Sequence, residues 1–252
     1  MFCKSLFFVV LFIRTSKSEE TLQPLIHNGI PAQEGSFPYQ VSIRYKISDW
    51  HLCGGAIIAE QWIATAKHCI EESQPGDLQI YVGSIYKDHG GVYYDIERLI
   101  PYPGDYWILE QDFGLIQVNE KIRFNDFTQP ISIAAEYWDF QPDDRVNVSG
   151  WGVNEKQESP NQLHYTETFL DYSIICLIIF PLYANDAIVC TQKFQPGNAC
   201  YGDSGGPLVR KGKLVGVVSG GWKCSTGYHS VYSKVHYYQN WINSQMQRFS
   251  KP

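Results

Sequence analysis

The sequence predicts an all-β chain of packed sandwiches or barrels, on three observations. Short runs rich in β-branched and aromatic residues recur along the 252 residues, with turn-forming residues between them. They do not alternate with helical segments as a doubly wound α/β sheet requires. Helical spacing of apolar residues shows at the C-terminus instead.

In chain order, Tyr39–Ile47 places Tyr39, Val41, Ile43, Tyr45 and Ile47 at every second position, the period of a half-buried strand. Gly55–Ala64 reads as one apolar run, and Leu78–Tyr81 follows the Gly76-Asp77 turn signal. Arg145–Val148, Ala187–Thr191 and Lys213–Ser219 repeat the pattern, each entered from Asp, Asn or Gly. The final segment, Tyr237–Arg248, lacks Gly and Pro and carries Trp241, Ile242 and Met246 at helical spacing, so it is predicted as an amphipathic helix.

With 44% hydrophobic and 15% aromatic residues, the chain can bury one large core or two fused smaller ones. Residues 1–18 read as a secretory signal: Lys4 precedes the apolar run Leu6–Ile13, and the small residues Ser16 and Ser18 follow. That run is far short of the roughly 20 apolar residues a spanning helix needs, so no membrane anchor is expected. Residues 19–25 are left as a short propeptide. Without residues 1–25 the bases fall from 20 to 17 and the acids from 26 to 24, a net charge of −7 that argues against nucleic acid as a partner. Of the seven cysteines, Cys3 leaves with the signal. The even remainder in a secreted chain points to disulfides, for which sequence alone permits 15 pairings. A zinc site is disfavoured because the spacings are wide and no Cys-x-x-Cys pair occurs.

Gly202-Asp203-Ser204-Gly205-Gly206-Pro207, entered through Cys200-Tyr201, sets a serine hydroxyl in a glycine-rich turn open to a substrate. Thr65-Ala66-Lys67-His68-Cys69 lies upstream and Asp112-Phe113-Gly114-Leu115-Ile116 between, giving the order His, Asp, Ser that one lineage of triad hydrolases uses. A serine is a poor nucleophile unless a base takes its proton, and imidazole suits that exchange near neutral pH. Singly, each residue has a plainer reading: a histidine beside a cysteine is usually structural, and Asp112 is one acid among many. Taken with Phe37-Pro38-Tyr39-Gln40-Val41-Ser42, Cys53-Gly54-Gly55, Ser149-Gly150-Trp151-Gly152 and Val231-Tyr232, the three segments resemble the chymotrypsin/trypsin family of serine proteases from about Ile26 to Trp241.

The resemblance implies a peptidase domain over 26–252. It consists of two six-stranded antiparallel β-barrels, roughly 26–130 and 131–235, and a terminal helix over 236–248. His68 would be the acid/base, Asp112 its orienter, and Ser204 the nucleophile, with the N–H groups of Gly202 and Ser204 forming the oxyanion hole. Ser219 would support Asp112. The amino group of Ile26, freed by cleavage, would pair with Asp203. The implied disulfides are Cys53–Cys69, Cys176–Cys190 and Cys200–Cys224, and the implied substrate-binding residues are Asn198, Ser219, Gly221 and Ser230.

Several positions depart from the family pattern. Leu25 replaces the basic residue a trypsin-like activator cuts after, and His27 replaces a small aliphatic one. Lys67 stands where alanine is usual, and is expected to reach solvent or a carboxylate because an unpaired buried cation is costly. The pocket floor is Asn198, which cannot offset a buried Arg or Lys charge. Gly220 replaces a tryptophan and Ser230 a pocket-wall glycine, so the pocket is expected to be shallower and less aromatic. The acid-rich calcium loop is replaced by Ser84–Gly91, with too few oxygen ligands for a metal.

These features predict a secreted, monomeric serine endopeptidase of non-tryptic specificity, needing no cofactor or metal, with protein or peptide substrates and protein protease inhibitors as partners. Two other readings are a catalytically silent homologue acting as a binding or decoy protein, and an esterase or lipase. The second is opposed by the absence of a Gly-x-Ser-x-Gly elbow in an α/β chain.

Overall fold

The computed structural model describes residues 29–104, 111–135, 144–153, 158–171, 187–192, 199–221 and 229–250. Residues 1–28, which hold the proposed signal and propeptide, lie outside this range, as do Cys176, Asn198 and Cys224.

Six strands close the first barrel: β2 (Gln40–Tyr45), β3 (His51–Ala59), β4 (Trp62–Thr65), β5 (Leu78–Val82), β6 (Val92–Pro101) and β7 (Gly114–Val118). Their order is β2-β3-β4-β7-β6-β5, and β2 pairs back onto β5 with Val41 opposite Val82 and Ile43 opposite Ile80. Val41, Ile43, Ile57, Ile63, Leu78, Ile80 and Leu115 are fully buried in the interior. The run Gly55–Ala64 is two strands rather than one. The polar pair Glu60-Gln61 turns the chain back, setting Ile57 against Ile63 and Ala56 against Ala64.

The second barrel comprises β9 (Arg145–Gly150), β10 (His164–Asp171), β11 (Ile188–Thr191), β12 (Pro207–Arg210), β13 (Lys213–Gly221) and β14 (Ser230–Lys234). It runs β10-β11-β14-β13-β12-β9 and closes through β9–β10 pairing. Two short strands extend the sheet: β1 (Ile30–Pro31) on β10, and β8 (Ser132–Ile133) parallel to β13. All six barrel pairings in each half are antiparallel. The architecture is therefore that of two six-stranded antiparallel barrels.

After the 3-10 turn Val235–Tyr238 comes α1 (Gln239–Arg248), the one α-helix among the described residues, at the place the periodicity predicts. It is not surface decoration. Ile242 is fully buried, Tyr238 stacks on Phe113 with centroids 4.5 Å apart, and Tyr102 meets the Trp241 ring edge-on at 5.1 Å. Such aromatic pairs add roughly 0.5–1.5 kcal/mol each beyond the area they bury. Val217, Val235, Tyr238 and Ile242 share one apolar cluster with Val41, Ile57 and Phe113, so the seam between barrels is dry core on one side. Residues leaving either barrel at that seam are held in fixed relation.

Candidate active site

Strand register brings His68 and Asp112 together. β4 and β7 pair antiparallel with Thr65 opposite Gly114, so the chain three residues beyond Thr65 and two residues before Gly114 leaves the barrel at the same end. His68 sits there in the 3-10 turn Lys67–Cys69, which the Cys53–Cys69 disulfide ties to β3. Its ring Nδ1–H donates to Asp112 Oδ2 at 2.8 Å and its backbone N–H donates to Oδ1 at 2.9 Å. This double contact fixes both the ring and the carboxylate plane.

The second barrel completes the support. Ser219 in β13 donates to Asp112 Oδ2 at 2.7 Å, and Ser233 in β14 donates to the Asp112 carbonyl at 2.6 Å. Asp112 is 5% exposed, so these donors stand in for water around a buried carboxylate. Burial pulls the His68 pKa down, but the hydrogen bond and charge of Asp112, with the charge of Glu71, outweigh it and hold the imidazole above its usual 6.5.

Ser204 lies in a turn pinned on three sides. Asp203 N–H donates to Cys200 O, Gly206 N–H to Asp203 O, and Gly205 N–H to Val218 O, the residue before Ser219. The Ser204 carbonyl accepts from Gly54 N–H at 2.7 Å. Gly202 and Gly205 have φ of +96° and +77°, a region that glycine enters without strain. Gly205 is also hemmed in: a Cβ there would lie 2.2 Å from Thr65 Oγ1 and 2.5 Å from Gly54 O. The serine turn thus abuts the end of β4, three residues before His68. Gly205→Ala combines overpacking with left-handed backbone strain and should cost about 2–4 kcal/mol of stability in urea unfolding. An alanine variant as stable as the parent would show that this turn is not packed as described.

The fold also recruits a residue that carries no sequence motif. His51 at the start of β3 donates through Nε2–H to the Gly202 carbonyl at 2.9 Å, while its Nδ1 accepts from Ser42 Oγ at 2.8 Å. Burial pushes its pKa down to about 4, against a smaller opposite effect of the Gly202 bond, so the ring is neutral at physiological pH. Among the described residues the amides of Gly202 and Ser204 have no acceptor. Only the adjacency of His51 to Cys53-Gly54-Gly55 could have signalled this role.

Asp203 is fully buried. Its carboxylate accepts from Gly152 N–H and Cys200 N–H, both at 2.8 Å, and comes so close to Gly150 and Gly152 that a side chain at either would collide with it. Burial raises its pKa to about 6 despite those two bonds. Its expected partner, Ile26, lies outside the described residues.

Of the pocket residues, Ser230 is buried in β14 and pairs with Gly221, and Gly220 pairs with Val231. Among the described residues, a Cβ on Gly220 would meet nothing within 4 Å. Asn198 cannot be placed. Lys67 is 8% exposed as a residue, and its Nζ donates to the Gly104 carbonyl at 2.6 Å rather than, among the described residues, hydrogen-bonding a carboxylate, though its charge is felt by Glu71. Cys190 and Cys200 are each disulfide-bonded, and their implied partners Cys176 and Cys224 lie outside the described residues. Cys53 and Cys69 cluster with His68 but are oxidised to each other, so they offer no thiolate to a metal.

The family model described as Trypsin matches residues 26–242. The chain is 34% identical over 236 residues to "Trypsin" of Simulium vittatum, covering 88% of this chain and 94% of that protein. It is 31% identical to "Vitellin-degrading protease" of Bombyx mori, over 83% of this chain and 81% of the relative, and 31% identical to "Trypsin 5G1" of Aedes aegypti, over 84% and 81%. The match takes in both barrels and the segments bearing His68, Asp112 and Ser204. The chain belongs to the chymotrypsin/trypsin-like family of serine proteases.

Proposed function

We propose that the protein is a secreted serine endopeptidase that cleaves peptide bonds through an acyl-enzyme on Ser204. The observation that carries the reading is the Asp112 carboxylate, which accepts from His68 Nδ1–H, His68 N–H and Ser219 Oγ–H at once. A carboxylate so held fixes the proton on Nδ1, so Nε2 of His68, which lies 3.7 Å from Cys69 Sγ, would carry the lone pair that takes the serine proton. His68 would then return that proton to the leaving amine. The amides of Gly202 and Ser204, without an acceptor among the described residues, would receive the oxyanion, a contribution commonly of about 3 kcal/mol per donor. Secretion rests on residues 1–18 and on relatives of the trypsin family. Among the described residues no helix is long and apolar enough to cross a membrane. Cys176–Cys190 and Cys200–Cys224 are the proposed remaining disulfides, the second tying the nucleophile loop to the pocket wall.

The preferred side chain at the cleaved bond is proposed to be uncharged and of medium size, such as Leu, Met or Asn. Two of the relatives are named trypsin, but Asn198 offers a dipole where a buried Arg or Lys would require a carboxylate. Ser230 narrows the wall that Gly221 faces across the strand pair. The test is labelling of the activated protein with a fluorophosphonate and a peptide-library profile, each beside a Ser204→Ala control. Labelling confined to Ser204 and cleavage after uncharged residues are expected. A strong Arg/Lys preference would refute the pocket reading, and the absence of any Ser204-dependent cleavage would favour a silent homologue.

A further inference from the structure

Lys67 and His68 are consecutive, and they grip the two arms of one loop. His68 holds Asp112 on the arm that leads into β7. Lys67 holds Gly104 on the arm that leaves β6. The arms are tied to each other: Tyr102 N–H donates to Phe113 O at 2.9 Å, and the Gln111 side chain lies directly over Gly104, where a Cβ would collide with it. A displacement of Gly104 is therefore passed to Gln111 and the adjacent Asp112. Lys67 is 8% exposed as a residue, and withdrawing its cation from water is costly, a cost that the Gly104 carbonyl and the charge of Glu71 compensate only in part.

We propose that Lys67 is a positioning residue for the His68–Asp112 pair: its bond to the Gly104 carbonyl clamps the first arm of the loop so that Asp112 meets the imidazole in one geometry. Its consequence for turnover rests on the peptidase reading above. Its consequence for the His68–Asp112 hydrogen bond does not.

The test compares Lys67→Met, which keeps length without a donor, with Lys67→Arg and Lys67→Gln, which keep an N–H donor, all in the full activated chain. Rates are normalised to sites titrated with fluorophosphonate, so that misfolded protein is not counted. Lys67→Met should lower kcat roughly 10- to 150-fold, the scale of losing one buried hydrogen bond to a charged group, with KM little changed. Lys67→Arg should recover most of it. A second readout needs no substrate: the low-field proton resonance of His68 Nδ1–H should be sharp in the parent and Lys67→Arg, and broadened or lost in Lys67→Met. If Lys67→Met does not fold, a weakened resonance and a smaller fall in kcat in Lys67→Gln give the same answer. Wild-type kcat with an unchanged resonance in the Met or Gln variant overturns the proposal, as does a rise in KM alone. A parent that neither labels nor cleaves, yet whose resonance depends on Lys67, would remove the peptidase reading and leave the positioning role standing.

Discussion

Asp112→Asn should reduce kcat about 10⁴-fold with little change in KM, the loss this substitution causes in enzymes of this family. The carboxylate here only accepts, so the proton shared with His68 must reside on Nδ1. An asparagine amide turned so that its NH2 faces the ring would donate to Nδ1 and drive the proton onto Nε2, where the imidazole can no longer take a proton from Ser204. The pH profile supplies an independent check. In the parent, Asp112 and Glu71 outweigh burial and hold the His68 pKa above 6.5, so the acid limb of kcat/KM should lie above that pH. In the variant the largest remaining influence is burial, which lowers it, and the limb should move to lower pH. An unshifted limb with a full-sized rate loss would assign the limb to another group.

The second large effect concerns Asp203 and is read as stability. Its carboxyl moves from 3.8 to about 6 on folding, chiefly through burial, so the folded chain binds this proton more tightly than the unfolded one. Stability from the group is therefore complete below about 3.8 and declines as pH rises through about 6, by a total of about 3 kcal/mol. Uncleaved protein should lose that amount between pH 4 and pH 7 in urea unfolding, and Asp203→Asn should not show the step. If Ile26 supplies its freed ammonium to Asp203, cleaved protein should show the opposite slope, because the pair would hold the carboxyl below its unfolded value. Leu25→Arg makes the comparison practical by giving trypsin a bond to cut. Equal slopes before and after cleavage, or full activity in protein whose mature terminus is elsewhere, would count decisively against the Ile26–Asp203 pair.

The chemistry of the chain is legible in its sequence where a short segment must meet a local demand. The glycines around Ser204 announce a turn, and Trp241, Ile242 and Met246 a helix face, because each constraint acts within a few residues. The strands β6, β7, β10, β12 and β14 are not picked out by such reading. His164–Asp171 buries alternate positions, but three of those four are the polar His164, Thr166 and Thr168, and Pro207–Arg210 opens on a proline. Gly55–Ala64 looks like one strand because nothing in its apolar content marks where the chain turns.

The sequence by itself determined the all-β class, the terminal helix, the serine turn and the candidate residues His68, Asp112 and Ser204. Ser219 on Asp112 was an expectation of the family resemblance, but tertiary structure alone decided the other groups that complete the site: Ser233 on the Asp112 carbonyl, His51 on the Gly202 carbonyl, and Lys67 on Gly104. These contacts join residues from 37 to 151 positions apart. A local motif fixes backbone conformation through sterics, but which distant donor meets which acceptor follows from β-sheet register and barrel closure, and those are set by the packing of both cores at once.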